Sequence, residues 1–242
     1  MTSPLFAFCN AGFKTTLRMF ADQKVEGREN VPATGSAIFI ANHMSNLDPP
    51  IVAALTNRSP GFLAKKELFN FPLFAWLVKQ YGAHPLNRGS QDIGAIRWGV
   101  RKLREPDAAL ILFPEGTRNK RADGMKKGHS GVTQIALMSG APIIPVGITG
   151  SEVLQNVAKV FMPRARLRIK IGRPIRLTGG YENRKRPSRE ELDAMTTEMM
   201  VRVAKLLPES HHGHYRDLLD TEFVYTEEVS PELASPVTTG SK

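Results

Sequence analysis

Short apolar runs alternate with amphipathic segments through the middle of this 242-residue chain, and that alternation constrains the fold more than any other feature. Ser36–Ala41, Gly61–Ala64, Ala108–Phe113 and Ile143–Ile148 are apolar or small-residue runs of strand length. Between them, Asp48–Thr56, Lys66–Gln80, Ser90–Arg104 and His129–Met138 carry apolar residues at helical spacing. Within Ser90–Arg104, Ile93, Ile96, Val100 and Leu103 share one face behind Ser90 as the expected cap, whereas Pro72 interrupts Lys66–Gln80. Strand followed by helix, repeated, predicts an α/β fold: a mostly parallel central sheet flanked by helices.

The flanks of this core read differently. Phe6, Cys9, Phe13, Leu17 and Phe20 make a helical stripe near the N-terminus, with Ser3 placed to cap and Pro4 suited to the first helical position. Residues 1–24 are therefore expected to form an amphipathic helix lying in a membrane interface; packing of the same stripe on the core is the alternative. Arg166–Ile171 alternates strictly, so Leu167, Ile169 and Ile171 face inward and Arg166, Arg168 and Lys170 outward, giving a half-buried strand with a cationic face. Ser188 and Glu191 form a capping box ahead of a helix striped by Leu192, Met195, Met199, Val203 and Leu206. The main domain is thus expected over residues 25–210, followed by an acidic, disordered tail over 211–242.

No apolar stretch approaches the about 20 residues of a membrane-spanning helix. Phe71–Val78 and Ala108–Pro114 reach less than half of that. The first residues lack a positive leader and a small-residue cleavage pattern, which predicts no secretory signal. Cys9 is the only cysteine and excludes an intrachain disulfide or a cysteine-based zinc site. His211, His212 and His214 lie in the expected tail without a positioned partner and are read as solvated, so no metal is expected.

Lys and Arg number 33 against 23 Asp and Glu, a net charge of +10 with His neutral, which calls for an anionic partner. Residues 164–189 alone hold ten basic residues and one acid, while 190–242 is net acidic. Nucleic acid is one candidate, but the basic stretch contains a single aromatic, Tyr181, and no nucleic-acid motif. An anionic membrane surface, or a phosphorylated substrate, fits better.

Chemistry concentrates where two expected strands end. Asn42-His-Met-Ser-Asn-Leu-Asp48 follows the first, and Pro114-Glu-Gly-Thr-Arg118 follows Ala108–Phe113, both at the edge where α/β sheets bind ligands. His43 and Asp48 are five apart, close enough for the carboxylate to hold one imidazole nitrogen and leave the other as a base. The hydroxyl they would activate is either the substrate's or that of Ser130. Gly128-His-Ser-Gly-Val132 imitates a nucleophile elbow, yet has Val132 in place of the last glycine and no strand leading into it.

These residues also carry a resemblance. Asn42–Asp48 is similar to the NHxxxxD signature of the glycerolipid acyltransferases, the 1-acylglycerol-3-phosphate (lysophosphatidate) acyltransferase family. Residues 65–76, 82–88, 113–118 and 141–146 resemble its further signatures in order, over roughly residues 30–175. The resemblance implies a glycerol-phosphate acyltransferase-like fold and acyl transfer from acyl-CoA or acyl-carrier protein to the sn-2 hydroxyl of lysophosphatidate, with no cofactor. It implies His43 as general base oriented by Asp48, and Arg88 and Arg118 as ligands of the acceptor phosphate. Glu115, Gly116 and Thr117 would line the acceptor site, with Glu115 bonding a glycerol hydroxyl or orienting Arg118. Lys65 or Lys66 would bind donor phosphates or the oxyanion. Attachment to the cytoplasmic face of the cell membrane would be peripheral. Asn87 and Asn119 depart from the family's usual residues and leave another lysolipid or glycerol phosphate open as the acceptor.

Overall fold

The computed structural model describes residues 4–56, 58–87, 92–119, 124–178 and 187–232. Its centre is β2 (Ala37–Ala41), in which every side chain is buried. Successive residues of a strand point to opposite faces, so Ile38 and Ile40 enter one core layer while Ala37, Phe39 and Ala41 enter the other. β2 pairs in parallel with β5 (Ala108–Leu112) on one side and β6 (Ile143–Thr149) on the other. β3 (Ser59–Lys65) and β4 (Ala83–Leu86) extend the parallel array beyond β5. Past β6 the direction reverses: β7 (Arg166–Ile171) is antiparallel to β6, and β1 (Asp22–Glu26) runs parallel to β7. The order is β1-β7-β6-β2-β5-β3-β4, with β8 (Ile175–Leu177) and β9 (Thr226–Glu228) attached through β6. This is the mostly parallel, helix-flanked sheet expected from the sequence.

One face is covered by α1 (Pro4–Phe20) and α2 (Asp48–Leu55), the other by α4 (Ile93–Lys102), α5 (Gly131–Ser139) and α6 (Arg189–Ala204). The α1 stripe turns inward: Phe6, Phe13 and Leu17 are buried in the first core layer, and the Phe6 ring meets Tyr81 edge-on at 4.9 Å. The expected membrane-interface helix is corrected on this point, since Phe6 and Phe13, which would enter a bilayer, are already covered by protein and Phe20 is covered in part. Asp92, not Ser90, caps α4, its carboxylate accepting the Ala95 N–H, and Ser90 lies outside the described residues. The Ser188–Glu191 capping box of α6 is formed in both directions.

Two further expectations change. The outward cations of β7 are not a uniform positive face, because parallel pairing sets Asp22 and Glu26 beside them: Arg168 bonds Asp22 at 2.8 Å, and Lys24 takes Glu26. The segment beginning at His211 is not a disordered tail through residue 232. Pro208 and two 3-10 turns carry it back to the core, where Tyr215 is 0% exposed and the His212 Nε2 bonds the Leu207 carbonyl. β9 then pairs with β8, and the buried Glu198 carboxylate accepts the Val224 and Tyr225 N–H groups. Residues 233–242 lie outside the described residues.

Candidate active site

The parallel strands end together on one edge, and the last residues of β2 and β5 lead into the two loops marked by the sequence. Asn42 fixes the first loop: its amide donates to the Ile148 carbonyl and accepts the Ile148 N–H, both at 2.8 Å, tying the end of β2 to β6. His43 follows. Its Nδ1 lies 2.9 Å from Asp48 Oδ2, and its ring stacks on Phe113, centroids 4.3 Å apart. Asp48 is the first residue of α2 and wholly buried; the same Oδ2 accepts the Met44 N–H at 2.7 Å and the Ser45 N–H at 2.6 Å. Three hydrogen bonds and the positive end of a helix offset the cost of burying that carboxyl group. With Nδ1 engaged, the other ring nitrogen is the one available for proton transfer.

The second loop is locked to the first. Glu115 is 3% exposed, its Oε1 accepting the His43 N–H and its Oε2 the Lys126 N–H, both at 2.9 Å. The Asn119 N–H closes the frame on the His43 carbonyl at 2.7 Å. Both Glu115 oxygens are thus directed at backbone and neither at Arg118, whose orientation was one of the two roles the resemblance implied for this carboxylate. Burial pushes the Glu115 carboxyl up to about 7, against the pull of those two N–H groups. Gly116 adopts φ 66°, and a Cβ there would fall 2.9 Å from the His129 ring. Arg118 donates to the Gln155 side chain at 3.3 Å, and Gln155 in turn donates to the Met44 carbonyl at 2.7 Å. Thr117 is exposed at the turn. Arg88 lies outside the described residues.

His43 opens on a cavity of about 560 Å³ between the sheet, α4 and α5. Leu112, Val132 and Ile135 form a buried apolar floor, while Lys127, Arg189 and Asp193 occupy its exposed part, Lys127 within 3.5 Å of Asp193. Ser130 and His129 also line it. Among the described residues no hydrogen bond joins Ser130 to a histidine, and it opens α5 without a strand before it, so the geometry of a nucleophile elbow is missing. Lys65 and Lys66 are exposed outside this lining, Lys65 facing Glu67 at 3.5 Å.

Sequence reasoning missed what holds the cavity wall. The Tyr215 hydroxyl accepts the Gly128 N–H at 2.8 Å, the His211 carbonyl accepts the Met125 N–H, and the Met125 carbonyl accepts the His214 N–H. The C-terminal turns therefore brace residues 125–128 from one side while Glu115 holds them from the other. Only the aromatic residue in the otherwise polar stretch 211–217 signalled an anchor there.

Two outcomes follow from this frame. A folded-state value of about 7 against an ordinary 4.5 means that the stability contributed by protonated Glu115 is fully present below pH 4.5 and lost as pH rises through 7. Thermal unfolding followed across that window should show a loss on the order of 3 kcal/mol that is absent in Glu115→Gln. Tyr215→Phe strands a buried N–H, a cost of about 1–3 kcal/mol. It should lower the unfolding midpoint by several degrees and selectively speed hydrogen exchange at the Gly128 amide.

Comparison with known proteins is consistent with this arrangement. The family described as Acyltransferase matches residues 22–149, more than half of the chain. The chain is 29% identical over 178 residues to a 1-acyl-sn-glycerol-3-phosphate acyltransferase of Streptococcus pneumoniae, covering 73% of this chain but only 62% of that protein. It is 26% identical over 203 residues to the Bacillus subtilis protein of the same name, covering 84% and 96%. A lyso-ornithine lipid O-acyltransferase of Pseudomonas aeruginosa is 31% identical over 112 residues, covering 46% and 42%. The crystal structure of the 1-acyl-sn-glycerophosphate acyltransferase of Thermotoga maritima shares the fold, with a TM-score of 0.60 at 24% identity, over 91% of this chain and 81% of that one. A histidine held by a buried carboxylate at the sheet edge, within a matched region running from β1 to the end of β6, thus places this chain in the Acyltransferase family.

Proposed function

We propose that the protein transfers an acyl group from a thioester, acyl-CoA or acyl-carrier protein, to the sn-2 hydroxyl of lysophosphatidate, releasing phosphatidate and a thiol. The observation that carries this reading is the His43–Asp48 pair opening on a cavity with an apolar floor, in a chain whose relatives bear that acyltransferase name. The free His43 nitrogen takes the hydroxyl proton as the oxygen attacks the thioester carbonyl. The tetrahedral adduct collapses with loss of the thiolate, which recovers the proton; no acyl-enzyme is formed. Asp48 fixes the ring and compensates the charge that it gains. In this reading Arg118, which bonds Gln155, holds the acceptor phosphate, work suited to a guanidinium fork. The floor at Leu112, Val132 and Ile135 suits an acyl chain.

Attachment to an anionic membrane surface belongs to the same reading, but through a different helix from the one first expected. α3 (Pro72–Gln80) leaves the catalytic edge behind β3 with Phe71 70%, Leu73 81% and Trp76 53% exposed. Lys65, Lys66 and Lys79 are exposed around it, the composition of an element that lies in a lipid headgroup layer. Among the described residues no helix is long and apolar enough to cross a membrane.

The mechanism is tested by following free thiol with purified protein, a lysophosphatidate acceptor and an acyl thioester. His43→Ala should lower the rate by about 10²–10⁴-fold while the fold persists. Ser130→Ala should retain activity, and the reverse result would establish a serine enzyme instead. Lyso-ornithine lipid in place of lysophosphatidate tests the acceptor suggested by the Pseudomonas relative. In vesicle flotation, Leu73→Ala with Trp76→Ala should weaken binding to anionic vesicles, and unchanged flotation would remove α3 from the interface.

A further inference from the structure

The basic residues that the sequence concentrates at 164–189 are partly paired in the fold, and a different group of cations converges elsewhere. Lys14 and Arg18 stand four apart on α1 and project to the same side, where like charges repel. Arg28 comes from the turn after β1. That turn is fixed: Gly27 adopts φ 77°, where a Cβ would strike the Ile171 carbonyl, and the Asn30 amide donates to the same oxygen at 2.8 Å. All three basic side chains, with the Gln23 amide, line a crevice of about 200 Å³ whose floor is Leu17, Ile51, Leu55 and Ile169. No carboxylate lines it, and no ion pair engages Arg18 or Arg28 among the described residues. Burial, then Arg18, then Arg28 hold the Lys14 ammonium below its usual range, so the cations are close enough to repel one another.

Arg18 and Arg28, brought from two elements to one crevice over an apolar floor, present guanidinium charge that favours an anion. We propose that this crevice binds a phosphate group, either a lipid phosphate monoester or a soluble phosphate ester, at a site separate from acyl transfer. The separation is built into the sheet. Leu17, Ile51 and Ile169 belong to the core layer under α1 and α2, whereas Leu112, Val132 and Ile135 of the catalytic cavity belong to the layer on the opposite face. Two guanidiniums can each present a fork of donors to phosphate oxygens, and the floor accepts the apolar part of an amphiphile.

The full-length protein provides the test, with Arg18→Gln/Arg28→Gln as the variant and Arg18→Lys/Arg28→Lys as the charge-preserving control. Arg18 and Arg28 are exposed, so the fold should be unaffected. Thermal unfolding is recorded with inorganic phosphate and with glycerol 3-phosphate, and sedimentation with phosphatidylcholine vesicles that contain or lack phosphatidate. A soluble phosphate ligand predicts a midpoint rise of about 3 °C near tenfold saturation. The rise is read in the Arg118→Ala background, which removes the acceptor site: there it should persist with the lysine control and vanish with the glutamine variant. A lipid ligand predicts no such rise, but binding to phosphatidate vesicles about thirtyfold weaker in the glutamine variant. Equal midpoint shifts and equal vesicle binding in the wild-type protein and the glutamine variant would overturn the proposal.

Discussion

A buried carboxyl group costs several kcal/mol unless it is hydrogen-bonded, and at Asp48 the site meets that cost through a single oxygen, Oδ2, while Oδ1 has no hydrogen-bond partner among the described residues. The oxygen that receives the His43 ring is the one that also receives the Met44 and Ser45 N–H groups. Orientation of the imidazole and shape of the loop are thereby one condition: the loop cannot rearrange without unbonding the carboxylate, and the ring cannot swing without leaving the loop donors to compensate alone. The Asn42 clamp on Ile148 extends this constraint into the sheet, so that the histidine takes its position from the most buried strand of the molecule.

Glu115 applies the same logic to the second loop, with a different balance. Two backbone donors favour its charged form and burial opposes it, and burial has the larger effect. Near neutrality the group therefore sits between a charged form that accepts both N–H bonds strongly and a neutral form whose hydroxyl oxygen accepts one of them weakly. The former holds the His43 and Lys126 backbones in register; the latter makes the protein more resistant to unfolding. Geometry of the site and stability of the fold draw on the same proton in opposite senses, an arrangement expected where catalytic order is maintained at some expense of stability.

Much of this was legible in the sequence where the signal is local. The strands of the sheet centre are apolar runs, the His43–Asp48 spacing spans one turn, and the capping box of α6 is a short motif. What escaped was set by distant partners. Amphipathic periodicity in α1 states that one face is apolar without stating whether sheet or lipid covers it. Edge strands β1 and β4 are short and only partly buried, so their composition resembles loop. The cavity cations Lys127 and Arg189 are 62 positions apart and both line the cavity, whereas adjacent Lys65 and Lys66 do not. Acidic composition after His211 concealed the rings, Tyr215 above all, that anchor the segment.

That anchor has a consequence for the order in which the protein is made. The wall at Met125–Gly128 is completed by a hydroxyl 87 residues further along the chain. During synthesis the dyad, its two loops and the parallel strands that carry them all emerge before their brace does. At about 5–20 residues per second, the interval is roughly 4–17 s. A nascent chain can thus present an assembled His43–Asp48 pair beside a wall held from one side only, and the pocket acquires its final form as a late event, when the C-terminal turns dock.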